Sequence, residues 1–410
     1  MKKNVIVGQS GGPTAVINAS LAGVYKTAKD MGADTIYGMR YGIQGLLEKK
    51  IVDLGEKIRN DMDVELLKRT PASFLGSCRY KLPEISEDKA IYEKIFAILE
   101  ELEITAFFYI GGNDSMDTIK KLSDYAQTVD SPIRFIGVPK TIDNDLEGTD
   151  HTPGYGSAAK YIATVTKELV RDGLIYEMQS VTVIEIMGRN AGWLTGAAVL
   201  AKSEDCEGPD LIYLPERDFS MDQFLDDVIA VYKRKGECLI AVSEGVHYAD
   251  GRFVSEAKTA ATDGFGHAQL GGLAATLAGI MKERTGAKVR GIELSLLQRC
   301  AAHCASGTDI EEAFMSGKTA VEQMVAGQTD KMVGFECDRT NGYTCKAKLF
   351  ELSDVANFEK KFPAEWITPE GNNVTEDFIK YAMPLIQGET KLEKVNGLPR
   401  FARLKKVFAK

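Results

Sequence analysis

Residues 139–145, which read P-K-T-I-D-N-D, carry the side chains in this chain that are best suited to chemistry. Two carboxylates, Asp143 and Asp145, are separated by a single residue. A hydroxyl at Thr141 and an ammonium at Lys140 precede them. Together these groups can hold a divalent cation, take a proton from an alcohol and neutralise a phosphate. A short acidic stretch is also typical of a solvated turn, so the surrounding elements must distinguish the two interpretations.

The surrounding pattern places this stretch in a loop at the carboxyl end of a strand. Residues 134–138 form a short β-rich run, and a long helical pattern covers about 157–170. In open α/β sheets the loops at the carboxyl ends of strands line the ligand crevice. We therefore expect residues 139–145 to face a binding crevice.

Two other predicted strands end in similar turns. Residues 5–7 lead into the glycines Gly11 and Gly12, and residues 106–110 lead into G-G-N-D-S at 111–115. A helical pattern follows each turn, and this alternation predicts a doubly wound α/β domain with a site along one edge of its sheet. Small residues at the start of a helix let a phosphate approach backbone amides, although close packing explains such a turn equally well.

The alternation of strands and helices restarts after Asp145. We predict strands at 181–187, 211–215, 238–245 and 288–299, a helix from 188 to about 202 and another from 262 to 284. This second α/β set places a domain boundary near residue 138 and the acidic stretch at an interdomain cleft, a common location for ligands. Glu244 follows a strand and is a candidate for the polar edge of that cleft. Arg79, in a Gly/Ser loop, is either a surface residue or a phosphate clamp.

Composition limits the class of protein. The chain has 410 residues, 44% of them hydrophobic and 27% charged, which suits two globular domains. A net charge of −9 disfavours binding to nucleic acid or to an anionic membrane, so a small substrate is expected. No apolar run reaches transmembrane length, and the first residues lack a signal-peptide core. Seven scattered cysteines without a C-x-x-C pair favour reduced thiols in the cytoplasm.

Histidine and cysteine spacing gives little support for a transition-metal site. Cys300 and Cys304 flank His303, but no second distant pair completes a zinc set. We predict that the other histidines, His151, His247 and His267, are structural.

Over nearly its whole length the chain resembles the phosphofructokinase family. Six strings occur in the family's order and spacing, which makes a chance match negligible. The strings are S-G-G-P-T-A-V-I-N at 10–18, G-G-N-D-S at 111–115, P-K-T-I-D-N-D at 139–145, I-E-I-M-G-R-N-A-G-W at 184–193, S-E-G at 243–245 and L-L-Q-R at 296–299.

Two positions resemble the pyrophosphate-dependent branch of that family. ATP-using members typically carry G-G-D-G-S and P-G-T-I-D-N-D, whereas this chain has Asp114 and Lys140 where those members have glycines. A carboxylate at Asp114 fills and repels the space that an α-phosphate would need, and the Lys140 ammonium can neutralise charge on pyrophosphate.

The resemblance implies a fold, a domain division and a reaction. It implies two doubly wound, Rossmann-like α/β domains: residues 1–138 with about 308–410 form the larger, diphosphate-binding domain, and 139–307 the smaller, sugar-phosphate-binding one. Asp143 would be the general base that takes the proton from the 1-hydroxyl of fructose 6-phosphate. The oxygen would attack Mg²⁺-bound pyrophosphate, giving fructose 1,6-bisphosphate and phosphate in a reversible reaction.

The resemblance also implies the residues of the site. Asp143, Lys140 and Asp114 would carry the chemistry, and Asn113, Asp143 and Asp145 would hold Mg²⁺, with Asn113 standing where the family usually has an aspartate. Amides of Gly11 and Gly12 would bind the diphosphate. The remaining substrate contacts would come from Arg79, Thr141, Ile142, Asp143, Met187, Gly188, Arg189, Glu244, Leu296, Leu297, Gln298 and Arg299.

Departures from regulated bacterial members indicate how the chain differs. Ser180 and Thr308 stand where those members place arginines that reach a neighbouring subunit, and Ala22 stands at an effector arginine. We therefore expect a homodimer without that allosteric control. Three alternatives stay open: an ATP-dependent phosphofructokinase, a non-catalytic regulatory subunit of the same fold, and use of sedoheptulose 7-phosphate as well.

Overall fold

The computed structural model describes residues 3–173, 175, 180–255 and 272–404. Its strands are β1 Asn4–Gln9, β2 Ile36–Met39, β3 Ile51–Asp53, β4 Ile104–Gly111, β5 Arg134–Pro139, β6 Ser180–Ile186, β7 Leu211–Tyr213, β8 Glu237–Ser243, β9 Lys288–Glu293, β10 Lys331–Asp338, β11 Thr344–Glu351, β12 Lys394–Val395 and β13 Leu398–Pro399. Its α-helices are α1 Ile17–Asp30, α2 Gly42–Leu47, α3 Asp61–Lys68, α4 Lys89–Glu101, α5 Asn113–Thr128, α6 Tyr155–Gly173, α7 Trp193–Gly196, α8 Met221–Lys235, α9 Leu273–Thr285, α10 Gly307–Val325, α11 Leu352–Val355 and α12 Glu376–Ala382. Short 3-10 helices cover Ala197–Ala201, Ser295–Arg299, Ala302–Cys304, Ala364–Trp366 and Met383–Ile386.

A seven-stranded sheet is organised around three buried parallel strands. Its order is β11-β10-β5-β4-β1-β2-β3, and β1, β4 and β5 are hydrogen-bonded neighbours in parallel. Every residue of β1 is buried, as expected for a parallel strand covered on both faces. Because parallel strands end at the same edge, the turns after β1, β4 and β5 lie side by side. The predicted alternation and the shared edge are therefore confirmed.

A four-stranded sheet of order β7-β8-β6-β9 forms the second layer set, and all its pairs are parallel. The prediction that a strand continues to Arg299 is wrong, because β9 ends at Glu293 and a 3-10 helix covers Ser295–Arg299. The pairing of β9 with β6 ends at Glu293, opposite Glu185, and β6 itself ends one residue later. A longer β9 would have left its backbone groups without partners, so the chain turns instead.

Two helix predictions were only partly right. The helix predicted from 188 to 202 exists only as Trp193–Gly196, followed by the tighter 3-10 helix Ala197–Ala201. The helix predicted from Thr262 is described from Leu273 onward, and the positions before 272, including His267, lie outside the described residues.

The tail packs on the smaller sheet through a cluster of aromatic rings. Trp193 lies 5.1 Å from Phe362, 6.0 Å from Trp366 and 5.3 Å from Tyr381 between ring centroids. Phe378 is fully buried among them. The tail is thus folded, as its aromatic residues predicted, and it brings residues near 360 alongside the edge where the strands end. In the part of the chain that is described, none of the helices combines the length and apolar character that crossing a membrane requires.

Candidate active site

A cleft of about 1020 Å³ lies between the two sheets, at the carboxyl ends of their strands. It brings together most of the residues predicted for the site. The predicted residues that line it are Gly11, Gly12, Arg79, Asn113, Asp114, Lys140, Thr141, Ile142, Asp143, Asp145, Met187, Arg189, Glu244 and Arg299. A second cavity, of about 500 Å³, lies near the amino ends of β6 and β8 and contains none of them.

Lys140 joins two of the neighbouring turns. Its backbone N–H donates to Gly111 O at 2.9 Å, and its buried Nζ donates to Gly12 O at 2.6 Å. Burial lowers the pKa of Lys140 to about 8, with Arg299 and Arg79 contributing in the same direction, while Asp143 and Asp145 oppose them. The ammonium therefore lies at the bottom of the cleft, where a bound anion could neutralise its charge.

Asp143 is a half-buried carboxyl whose environment suits a general base. Burial raises its pKa to about 6, and Glu244 adds to the shift, whereas Lys140 and nearby arginines oppose it. Its backbone N–H donates to Thr141 Oγ1 at 3.1 Å, which fixes the start of the turn. A base with a pKa close to neutral combines the deprotonated form with useful basicity.

Asp145 has a similar environment two residues further along. Burial first, and then Asp143 and Glu359, raise the pKa of Asp145 to about 7, against the opposing charge of Lys360. Two half-buried carboxylates with elevated pKa values form a donor set whose negative charge a bound cation would offset. Among the described residues, no third His, Cys, Asp or Glu closes a compact three-ligand group with them. The set fits Mg²⁺, which typically takes one or two carboxylates and completes its shell with water and substrate phosphates.

Asn144 fixes the turn between the two carboxylates. It adopts φ +57°, a left-handed conformation that asparagine tolerates better than most residues. Its Nδ2 donates to Tyr381 OH at 2.8 Å, and its Oδ1 accepts the backbone N–H of Thr152 at 3.0 Å. Because both ends of this fully buried amide are bonded, the flanking Asp143 and Asp145 are held in fixed directions.

On the smaller sheet, Gly188 and Glu244 shape the cleft wall. Gly188 adopts φ +126°, its N–H donates to Glu244 Oε1 at 3.3 Å, and its carbonyl accepts from Ser243 Oγ at 2.6 Å. Burial raises the pKa of Glu244, and the bond from Gly188 opposes that shift. Gly188 thus supports the wall from behind and does not line the cleft.

The predicted L-L-Q-R string divides between the cleft and its support. Leu296 and Leu297 are 54% and 58% exposed and lie outside the cleft lining. Gln298 is buried and accepts the backbone N–H of Met187 at 3.3 Å. Arg299 lines the cleft, and burial, together with the charge of Arg79, lowers its pKa.

Asn113 holds a segment of the tail. Its Nδ2 donates to Phe358 O at 2.6 Å, and its Oδ1 accepts the backbone N–H of Asn357 at 2.8 Å. Asn357, Phe358, Glu359 and Lys361 also line the cleft, and sequence reasoning missed them. Residues 357–361, the cross-cleft segment, read N-F-E-K-K and form no motif, so no sequence signal indicated their place in the cleft.

An ion cluster formed by Asp150, His151, Glu312 and Arg339 lies outside the cleft. The buried ring of His151 contacts Asp150 Oδ1 at 3.0 Å through Nδ1 and Glu312 Oε2 at 2.7 Å through Nε2. Arg339 pairs both oxygens of Asp150 at 2.8 Å. Burial opposes protonation of His151, but its bonds to Asp150, Cys337 and Glu312 outweigh burial and raise its pKa. Although Asp150, His151 and Cys337 converge within 4.8 Å, a protonated ring and an arginine occupy the positions that a metal would need.

Parallel strands ending at one cleft, with a half-buried carboxyl beside a lysine and several arginines, are typical of an α/β phosphoryl-transfer enzyme. The family model described as phosphofructokinase matches residues 4–323. The chain therefore belongs to the phosphofructokinase family.

Relatives of nearly the same length support this assignment. The chain is 41% identical over 407 residues to a protein of Halomonas elongata named pyrophosphate–fructose 6-phosphate 1-phosphotransferase, covering 98% of this chain and 96% of that one. A protein of the same name from Methylococcus capsulatus is 40% identical over 406 residues, covering 98% and 96%. The crystal structure of a pyrophosphate-dependent phosphofructokinase from Nitrosospira multiformis superimposes with a TM-score of 0.90 at 39% identity, covering 100% of this chain and 98% of that one.

Proposed function

We propose that the chain is a pyrophosphate-dependent 6-phosphofructokinase that reversibly transfers a phosphoryl group from pyrophosphate to the 1-hydroxyl of fructose 6-phosphate. The observation that carries the proposal is the junction of Lys140 and Asp143 in one cleft. The buried ammonium of Lys140, bonded to Gly12 O on the diphosphate side, lies next to the half-buried carboxyl of Asp143, the proposed base on the sugar side. The names of the Halomonas and Methylococcus relatives support the same activity.

In this mechanism Asp143 accepts the proton of the 1-hydroxyl while the sugar oxygen attacks the nearer phosphorus of pyrophosphate. A new P–O bond forms to the sugar, the bridging P–O bond breaks, and phosphate leaves with the bonding electrons. Lys140 neutralises charge on the transferred group, and the amides of Gly11 and Gly12 cradle the rest of the diphosphate. In the reverse direction protonated Asp143 returns the proton to the departing sugar oxygen.

Asp143 and Asp145 are the residues that we propose hold Mg²⁺. When bound, the ion would supply positive charge that stabilises the negative charge on pyrophosphate. Both polar atoms of the Asn113 amide are hydrogen-bonded to the tail, so we propose that Asn113 supports the metal site and is not a main ligand of the ion.

On the sugar side, Arg189, Arg299, Met187 and Glu244 are proposed to hold fructose 6-phosphate. The two arginines supply the charge for its 6-phosphate, and Glu244 can accept hydrogen bonds from sugar hydroxyls. The position of Glu244 is supported by the bond from Gly188, which aims its carboxylate at the cleft.

We propose the domain division stated above, a homodimer and a cytoplasmic location. The division is supported by the two sheets, since β10 and β11 extend the larger one from the tail. Exposed Leu296 and Leu297, close to Arg299, support a subunit contact near the site. The seven free cysteines support a reducing compartment.

The experiment that tests the function is the initial rate of fructose 1,6-bisphosphate formation from fructose 6-phosphate and Mg²⁺, with pyrophosphate or ATP as the donor. We expect turnover with pyrophosphate and little with ATP. Turnover with ATP alone would favour an ATP-dependent enzyme and overturn the role of Asp114. Turnover with neither would favour a regulatory subunit, and parallel assays with sedoheptulose 7-phosphate would define the sugar.

A further inference from the structure

The cross-cleft segment connects parts of the molecule that lie on different sides of the cleft. We infer that this segment is a fixed wall that limits the phosphoryl donor to two phosphates, and that Asn113 is the positioning residue that anchors it. The inference rests on the proposed function, because it concerns the donor half of the same cleft.

The first anchor lies at the start of α5. Asn113 makes two hydrogen bonds to the segment, one to each of the adjacent backbone groups of Asn357 and Phe358. Asn357 returns a third bond from its Nδ2 to Asp117 Oδ1 at 3.0 Å. Its φ of +68° bends the chain at this point, so the segment leaves α5 in a defined direction.

The second anchor is the turn that carries the two carboxylates. The backbone N–H of Lys360 donates to Asp145 O at 2.8 Å, and Glu359 forms an antiparallel bridge with Leu146. The buried Nζ of Lys360 donates to Asp150 O at 2.7 Å and Thr149 O at 3.2 Å. The backbone of the segment is thus hydrogen-bonded directly to the turn that carries Asp143 and Asp145.

The third anchor crosses to the smaller sheet. Asn190, in the loop after β6, donates from Nδ2 to Glu359 Oε1 at 3.1 Å. Further along, Trp193 Nε1 donates to Lys360 O at 3.2 Å. With bonds to α5, to the catalytic turn and to this loop, the segment has little freedom to move away from the cleft.

The side chains on this wall are unsuited to binding a donor with more than two phosphates. Phe358, 55% exposed, and the carboxylate of Glu359 line the cleft together with Asp114. An apolar ring and carboxylates give additional phosphates no favourable contacts, because the carboxylates repel further negative charge. Lys361 lines the same cleft and offers a cation to the phosphate that is not transferred.

This arrangement gives Asn113 a role that its position alone does not reveal. Its amide nitrogen donates to the Phe358 carbonyl and its amide oxygen accepts from the Asn357 N–H. An ionised aspartate can only accept, so it could not make both bonds. An aspartate would keep the bond from the Asn357 N–H and would face the Phe358 carbonyl with like charge. The neutral amide is therefore what holds the wall closed.

The test compares native protein with Asn113→Ala, using pyrophosphate and inorganic tripolyphosphate as donors with fructose 6-phosphate and Mg²⁺. Removing two hydrogen bonds should lower kcat/KM for pyrophosphate roughly tenfold. The ratio of kcat/KM for tripolyphosphate to that for pyrophosphate should rise at least about tenfold, while KM for fructose 6-phosphate changes less than about twofold. A purely structural role would lower the rates with both donors equally.

Gln127→Ala is the matched control. Gln127 lies on the same helix, and its Nε2 also tethers a distant segment, at Asp330 Oδ2 and 2.8 Å, but away from the cleft. We expect its donor ratio to equal that of the native protein. If Asn113→Ala does not fold, Asn357→Gly removes the Asp117 bond, keeps the left-handed backbone accessible and should shift the ratio in the same direction.

The outcomes separate the inference from the function on which it rests. Native protein that uses pyrophosphate, with an unchanged donor ratio in both Asn113→Ala and Asn357→Gly, would overturn the wall and leave the activity standing. Native protein that does not use pyrophosphate would overturn the proposed function itself. Tripolyphosphate used by the native protein as well as pyrophosphate would also overturn the limit on donor length.

Discussion

The cleft and the ion cluster both bury charged groups, but they treat those charges in opposite ways. In the ion cluster Asp150 has a lowered pKa and His151 a raised pKa, so each group favours its charged form. In the cleft the pKa values of Asp143 and Asp145 are raised and that of Lys140 is lowered, so each group favours its neutral form. Only one turn of chain separates the two regions.

The two regions differ in which groups neutralise the charges. In the ion cluster Asp150 accepts two bonds from Arg339, and His151 bridges two carboxylates, so protein partners offset the loss of water. In the cleft burial dominates every shift, and the remaining opposite charge has to come from substrate. Between these two regions, the direction of the pKa shifts thus follows whether protein partners offset the charges.

The largest expected effect comes from removing the base. Asp143→Asn should lower kcat by about 10²–10⁴-fold, because general-base catalysis contributes that much. Its melting temperature should stay equal or rise, because folding disfavours the ionised form of Asp143 and the variant has no charge at this position. Steady-state kinetics and thermal unfolding measure the two effects, and equal turnover would contradict the role of Asp143.

The opposite result is expected in the ion cluster. His151→Leu leaves Glu312 without its ring partner and should lower the free energy of unfolding by about 3–5 kcal/mol, the usual cost of breaking a buried pair. Turnover per folded molecule should change little. Urea unfolding measures the loss, and the exposed His303→Leu serves as control; equal stability of both variants would refute the comparison.

Lys140→Met tests the cation of the cleft. The variant should turn over about 10²–10³-fold more slowly, as expected when a charge-stabilising group is removed. Its stability should not fall, because burial already lowers the pKa of this ammonium to about 8. A strongly destabilised but active variant would place Lys140 with the structural charges instead.

The dependence on pH distinguishes the regions by sign. Asp143 must be deprotonated and Lys140 protonated, so kcat/KM should rise up to about pH 6 and fall above about pH 8. Because the pKa of Asp143 is raised, between about pH 4 and about pH 6 the folded protein keeps the Asp143 proton, whereas the unfolded protein has released it. Stability should therefore decrease from about pH 4 to about pH 6 on account of this group, and Asp143→Asn should remove that slope.

The ion cluster gives the reverse dependence in acid. Because the pKa of Asp150 is depressed, its contribution to stability is present above the ordinary carboxyl value and is lost as the pH falls through the lower folded value. For His151, whose pKa is raised, the contribution is present below the ordinary imidazole value and is lost as the pH rises through the folded value. Unfolding curves across acid and alkaline pH, native against His151→Leu, measure the second effect.

The smallest expected effect lies where the two regions touch. Tyr381 OH donates to Asp150 O and accepts from Asn144 Nδ2, both at 2.8 Å. Tyr381→Phe should cost about 1–2 kcal/mol of stability through these two bonds and lower kcat only a few-fold. Thermal unfolding and kinetics on one preparation measure both, and a loss of activity as large as that of Asp143→Asn would mean that the regions are not separate.

The sequence allowed prediction of what depends on neighbouring residues in the chain. The turns containing Gly11, Gly112 and Asp143 follow apolar strands, so their common edge could be predicted from periodicity alone. The partners in the ion cluster could not, because Glu312, which contacts His151, and Arg339, which pairs with Asp150, lie far along the chain and are brought there by packing. The cross-cleft segment was missed for the same reason, and β9 was extended too far because a sequence does not show where its partner strand ends.

The order of the larger sheet also has a consequence for biosynthesis. Strand β5, which leads into the turn that carries Asp143 and Asp145, pairs with β4 on one side and with β10 on the other. While the ribosome is still producing the residues between them, β5 is an open edge of the nascent sheet. The sheet and the cleft are therefore complete only after residues 331–361 have been translated, and chains that stop before Lys331 would expose an unpaired strand to aggregation.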